Sequence, residues 1–106
     1  MKLPCATKLS NRLAHELTDE AQAGLLGVYI EQDPAGLGVG GARTKAEGVS
    51  VWALIGYLEA LDGDLDRVAR DYELPPDAVR AALLYFHRNP TVIAARIEEN
   101  RLLRAD

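Results

Sequence analysis

Proline and glycine punctuation constrains this chain more than any other feature. From Val51 onward apolar residues recur every three or four positions, but Gly63, the Pro75 and Pro76 pair, and Pro90 cut that rhythm into short lengths. A long rod is therefore excluded, and several short helices packed on one another are expected. Val51, Leu54, Ile55, Leu58 and Leu61 line one face of a first helix, with Gly63 placed to end it. Asp64 is a natural N-cap for a second helix carrying Leu65, Val68, Ala69 and Tyr72. Pro75 and Pro76 forbid its continuation but suit the first turn of a third helix through Val79, Leu83 and Phe86 toward Asn89. After Pro90, Ile93 and Ile97 stand four apart among Glu98, Glu99, Arg101 and Arg104, the pattern of an exposed amphipathic C-terminal helix over 91–104.

The front half lacks this periodicity. Lys2, Lys8 and Arg12 precede any acid, and Pro4 with the polar stretch Thr7 to Asn11 reads as a basic, partly extended and mobile arm over residues 1–22. A short helix between Asn11 and Ala21 is compatible with it. Leu25, Leu26, Val28, Tyr29 and Ile30 form a β-prone run ending at Asp33 and Pro34, which predicts a first strand. A glycine-rich loop then leads to Val49, Ser50 and Val51 as a second strand. The expected architecture is mainly α with a small β hairpin over 25–51, a helical bundle over 51–104, and one domain over 23–106.

At 106 residues, 48% apolar and 26% charged, with a net charge of −4, the chain holds enough apolar side chains for one modest core without a metal or a disulfide. The single cysteine, Cys5, excludes an internal disulfide, a zinc ribbon and a CxxC redox pair, and points to a reducing cytoplasm. No apolar stretch has the length of a signal peptide core or a membrane span.

Counting from Leu65, the residues Val68, Ala69, Tyr72, Leu74 and Val79 occupy the internal offsets of a helix-turn-helix, with Ala69 as the small residue at the crossing and Glu73 where a turn glycine is usual. Such a unit either inserts its second helix into a DNA groove or serves as a plain three-helix core. Charge favours the core. Residues 59–77 carry seven acids against Arg67 and Arg70, a balance of −5, which repels phosphates. Of the outward residues Pro75, Pro76, Asp77, Arg80 and Ala81, only Arg80 offers a good donor. Should DNA be bound, the basic arm and the loop from Arg43 to Lys45 are better placed.

Other motifs carry less. Gly36, Gly38 and Gly41 spell GxGxxG, but no helix follows at once and no βαβ unit surrounds it, so no nucleotide site is expected. Asp62, Asp64 and Asp66 alternate as in a calcium loop, yet the sixth position is Arg67 rather than glycine, and a solvated acidic turn is the simpler reading. His15 and His87 are the only histidines and no acid–base pair converges around them, so neither an enzyme nor a cofactor or metal is expected. His87 suits the C-terminal end of the third helix.

From Gly40 to Ile97 the chain resembles the DUF 433 family. The matching pieces are Gly40 and Gly41, then Val49, Val51 and Trp52, then Asp71, Tyr72 and Leu74, then Val79, Ala81, Ala82, Leu84 and Tyr85. The family's GG-x-P-x-I-x-G-T-R-I-x-V-W stretch is not kept between Ala42 and Ser50, where Glu47 and Gly48 replace threonine and arginine, so that arginine's contacts do not carry over. The resemblance implies a homeodomain-like helix-turn-helix after a β hairpin, a homodimer, and a role as a VapB-like antitoxin or DNA-binding regulator beside a PIN-type ribonuclease toxin.

The leading expectation is thus a non-enzymatic antitoxin-like regulator. Lys2, Lys8, Arg12, Arg43, Lys45 and Arg80 would hold phosphates, and Ile93, Arg96, Ile97, Arg101, Leu102 and Arg104 would meet a toxin. The rival is a protein-interaction or assembly module that uses the same helices purely as scaffold.

Overall fold

The computed structural model describes residues 2–32 and 38–103. Six helices occupy most of them: α1 (Pro4–Glu16), α2 (Asp19–Tyr29), α3 (Val51–Ala60), α4 (Leu65–Asp71), α5 (Pro76–Arg88) and α6 (Pro90–Leu103). Two short strands, β1 (Ile30–Glu31) and β2 (Arg43–Thr44), pair antiparallel with Ile30 opposite Thr44 and Glu31 opposite Arg43. A 3-10 turn, Val39–Gly41, precedes β2.

Helix α5 is the centre of the molecule, with α1, α2, α3, α4 and α6 packed around it. Its side chains from Ala78 to Phe86 are buried except Arg80. The rest of the core comes mainly from Val51, Leu54, Ile55 and Leu58 of α3, Val68 and Ala69 of α4, Leu26 of α2, and Ile93 and Ile97 of α6.

The back half follows the sequence periodicity. Asp64 caps α4 by accepting from the Arg67 amide at 3.2 Å, and Pro76 opens α5. Ala69 is buried where α4 meets α5, as a small crossing residue must be. Both α3 and α4 end in Schellman turns. At α3, the Gly63 amide donates to the Leu58 carbonyl and that of Asp62 to Glu59; at α4, Leu74 donates to Ala69 and Glu73 to Arg70. These turns need a left-handed residue, and Asp62 (φ 55°) and Glu73 (φ 57°) supply it where glycine would be free of strain. The tail over 90–103 is helical as expected, although Ile93 and Ile97 face inward.

The front half departs from expectation in three places. Residues 4–16 are not an extended arm but a helix, with Leu3, Ala6 and Ser10 buried against its neighbours. Pro4 is preorganised for its first turn, and a remote carboxylate described below supplies the cap its own sequence lacks. No helix spans Asn11 to Ala21, because Leu17 is extended (φ −109°, ψ 142°) and Thr18 starts α2 by accepting from the Ala21 amide. The run from Leu25 to Tyr29 is helical rather than a strand. The Thr18 cap, the acids Asp19 and Glu20 in the first turn, and the shared face of Gln22 and Leu26 outweigh its β propensity. Only Ile30 and Glu31 pair as β1, and their partner is Arg43–Thr44 rather than Val49–Val51. The latter segment folds back on β2 through a bridge between Arg43 and Ser50, after which Val51 begins α3. The turn expected at Asp33 and Pro34 lies outside the described residues.

Candidate functional site

The polar side chains that join distant elements define where chemistry is held in place. Helix α1 has no acid in its first turn and no side-chain cap of its own. The Glu59 carboxylate, at the end of α3, accepts from the amides of Cys5 at 3.2 Å and Ala6 at 2.9 Å, thereby capping α1 from 53 residues away. At the other end of α1 the buried Gln22 amide donates to the carbonyls of Ala14 (2.9 Å) and Leu17 (3.1 Å). His87 Nδ1 lies 3.0 Å from Asn11 Oδ1, tying the end of α5 to α1. The Tyr85 hydroxyl donates to the Val39 carbonyl at 2.7 Å and fixes the 3-10 turn on α5.

A second group lies on the surface between α3 and α4. The Tyr57 hydroxyl donates to Asp71, whose carboxylate also faces Arg67 at 3.5 Å. The Tyr57 and Tyr72 rings meet edge to face with centroids 5.5 Å apart. The bond to Asp71 raises the Tyr57 pKa above its ordinary value, with partial desolvation acting in the same direction.

The six cations expected to meet phosphates fall into three separate settings. Lys2, Lys8 and Arg12 are exposed before and along α1, with Lys8 and Arg12 one turn apart. At the end of α2, Lys45 donates to the Gly27 carbonyl, and Arg43 faces Glu31 at 3.7 Å. Arg80 is paired with Asp77 at 2.8 Å. Three of the six thus already have partners in the chain, and a DNA contact through any of them would have to replace one.

The tail residues also divide. Ile93 is fully buried and Ile97 nearly so, hence both belong to the core rather than to an open partner surface. The Arg96 stem packs over Gly40, where an added Cβ would stand 3.0 Å from it and would push the stem aside by a few tenths of an ångström. Arg101 is bound to Glu98, which lowers the Glu98 pKa and raises that of Arg101. Leu102 is exposed, and Arg104 lies outside the described residues.

Two motif readings find their place here. Asp64 is occupied as a cap and Asp62 forms a turn, and among the described residues no group of three histidine, cysteine or carboxylate side chains could hold a metal ion. Gly38 (φ 81°) precedes the 3-10 turn and β2, so no helix opens after the GxGxxG pattern; Gly36 itself lies outside the described residues. No helix is long and apolar enough to cross a membrane among those residues.

Sequence reasoning missed Glu59, Gln22 and the Tyr57 to Asp71 link. Glu59 had one visible signal, a lone acid in an otherwise apolar helix. Gln22 had none, because its partners are backbone carbonyls. Comparison of the chain with protein-family models, curated proteins and solved structures gave no match.

Proposed function

We propose that the chain is a non-enzymatic protein-interaction module in which α3, α4 and α5, as a homeodomain-like helix-turn-helix, act as scaffold. The observation that carries this reading is the burial of α5. A helix that reads a DNA groove must offer three or four open side chains to the base edges, chiefly from its N-terminal turns. On α5 the line of Asp77, Arg80, Ala81 and Leu84 is open only at its first two residues: Ala81 and Leu84 are buried, and Arg80, its one donor, is paired with Asp77. The net charge of −4 and the acids around α4 favour the same conclusion.

Fluorescence anisotropy with labelled duplex DNA at low salt tests it. The module reading predicts no saturable binding, and submicromolar binding lost on Arg80→Ala would overturn it.

The rival is the DNA-binding antitoxin of a toxin pair, a cytoplasmic homodimer beside a PIN-type nuclease. Its support is the exposed Lys8 and Arg12 on α1, with Lys2 nearby, and the DUF 433 resemblance of residues 40–97. Three phosphate contacts from α1 would give a log–log salt slope of about −2.7. The triple variant Lys2→Ala, Lys8→Ala and Arg12→Ala would abolish such binding and leave unfolding stability unchanged.

A further inference from the structure

Tyr57 of α3 and Tyr72 at the end of α4 pack on the edge of the core rather than inside it, and each is half-buried. Their ring planes stand at 77° with centroids 5.5 Å apart, which makes a right-angled corner that water reaches. Ala53 and Ala60, one turn before and one turn after Tyr57, are too small to cover its ring. The face of a tyrosine ring carries negative charge density, so two faces set at a right angle attract an organic cation.

The corner is also acidic. Asp71 receives both the Tyr57 hydroxyl and Arg67 Nε on one oxygen, Oδ2, the arginine at 3.5 Å. Its other oxygen, Oδ1, has no donor among the described residues and can accept one from outside. Asp62, Asp64, Asp66, Glu73 and Asp77 are exposed around it, against Arg67 and Arg70. Arg67 does not close the site. Its side chain is 53% exposed, and an ion pair held at that distance in water is weak enough to be shared or displaced. A surface of this charge repels phosphates and steers basic proteins toward it.

The geometry points to a docking site, built from Tyr57, Tyr72 and Asp71, for an arginine side chain on a basic segment of a partner protein. The guanidinium plane stacks on one ring and its edge donates to Asp71 Oδ1, while neighbouring cations of the segment lie along the acids of α4. Arginine suits the corner better than lysine, because a flat, weakly hydrated fork can stack and donate at once, whereas a compact ammonium holds its water.

The site rests on the interaction-module reading and names the chemistry of the partner. Acetylated and amidated tri-arginine is the probe, titrated at low salt into the nitrogen-labelled whole chain and followed by amide NMR shifts. Saturable shifts centred on Tyr57, Asp71 and Tyr72 are expected, with a Kd on the order of 1 mM, and tri-lysine should bind at least about threefold more weakly. Tyr57→Leu and Tyr72→Leu should each weaken binding about two- to fivefold, whereas Tyr57→Phe keeps the ring and should stay within about twofold. Asp71→Asn should cost more than Asp66→Asn, which removes the same charge on a different side of α4, and Arg67→Ala should tighten binding by freeing Asp71 of its internal cation. Circular dichroism checks that the leucine variants are folded; Tyr57→Phe and Asp71→Asn decide the matter if they are not. Absence of saturable shifts up to about 10 mM, equal affinity for tri-lysine, indifference to folded leucine variants, or equal losses from Asp66→Asn and Asp71→Asn would each overturn the site. Duplex binding in the anisotropy assay would strike the module reading by itself, whereas failure of tri-arginine without duplex binding strikes the site alone.

Discussion

Helices α1 and α2 lie against α5, as do α3 and α4, but the two pairs are held there by different forces. Helices α3 and α4 present contiguous apolar faces: Val51, Leu54, Ile55 and Leu58 on one, Val68 and Ala69 on the other. Helix α1 fully buries only Ala6 and Ser10, and α2 only Gln22 and Leu26, while Leu9, Leu13, Ala14, Leu25 and Tyr29 lie half-buried against the core. To this shallower apolar contact the front helices add polar anchors at their ends, where Glu59, Gln22 and Lys45 satisfy backbone groups that would otherwise be left open. A helix can thus be fixed to a core by its face or by its termini, and the second route places the deciding residue anywhere in the chain.

The largest effect should come from the shared core. Leu84 is fully buried in the middle of α5, so Leu84→Ala removes both transfer energy and packing, a loss of about 2 to 5 kcal/mol. Urea unfolding followed by circular dichroism measures it. A loss under about 1 kcal/mol would mean that α5 is less enclosed than its burial indicates.

Glu59 tests the terminal route. Glu59→Ala leaves two amides of α1 without an acceptor and should cost about 1 to 2 kcal/mol, with Glu59→Gln recovering part of that because one amide oxygen remains. Hydrogen exchange should quicken at Cys5 and Ala6 well before it does at α3 or α5 amides. Uniform quickening across all helices would make Glu59 an ordinary core residue and dissolve the contrast between the two halves.

The same contrast explains which parts of the molecule were legible. The helices over 51–60, 65–71, 76–88 and 90–103 were readable because their signals are local: apolar spacing, Asp64 as a cap, and prolines at their starts. The front was misread because its evidence is not local. Nothing near Pro4 announces that a carboxylate at position 59 will cap α1, and the β-prone residues Val28 and Tyr29 could not reveal that Thr18 had already started a helix. The tail failed differently. Its helix was evident, but apolar spacing on α6 does not say which neighbour the face meets, and Ile93 and Ile97 turn inward, Ile97 lying against Gly56 of α3 where even an added Cβ would make an ordinary contact at 3.7 Å. Of the candidate cations, a sequence shows charge but not engagement, and Arg43, Lys45 and Arg80 all have partners within the chain.

A smaller effect sharpens the reading of the back half. Glu73 adopts a left-handed conformation at the turn between α4 and α5, where glycine has no side-chain penalty. Glu73→Gly also frees the unfolded chain, so the two contributions oppose one another, and the net gain should be about 0.5 kcal/mol. Thermal melting should show a rise in Tm of a few degrees. A fall would mean that the Glu73 side chain holds α4 to α5 through contacts of its own.

The smallest effect is read as a titration rather than as stability. Tyr57 and Asp71 join α3 to α4 outside the core, by a hydrogen bond of the kind that anchors the front helices but between side chains that water reaches. The folded-state pKa of Tyr57 is raised, so what its bond contributes is fully present below the ordinary tyrosine value of about 10 and is lost as pH climbs through the raised value. Asp71→Asn removes the charged acceptor, and Tyr57 should then ionise at lower pH, visible as an earlier rise in absorbance at alkaline pH that Tyr57→Phe abolishes. Stability at neutral pH should hardly change in either variant, because an exposed polar bond competes with water on nearly equal terms. If Asp71→Asn instead loosened α4 as strongly as Glu59→Ala loosens α1, polar links would hold both halves, and the apolar seam of α4 would be secondary to the contact at its end.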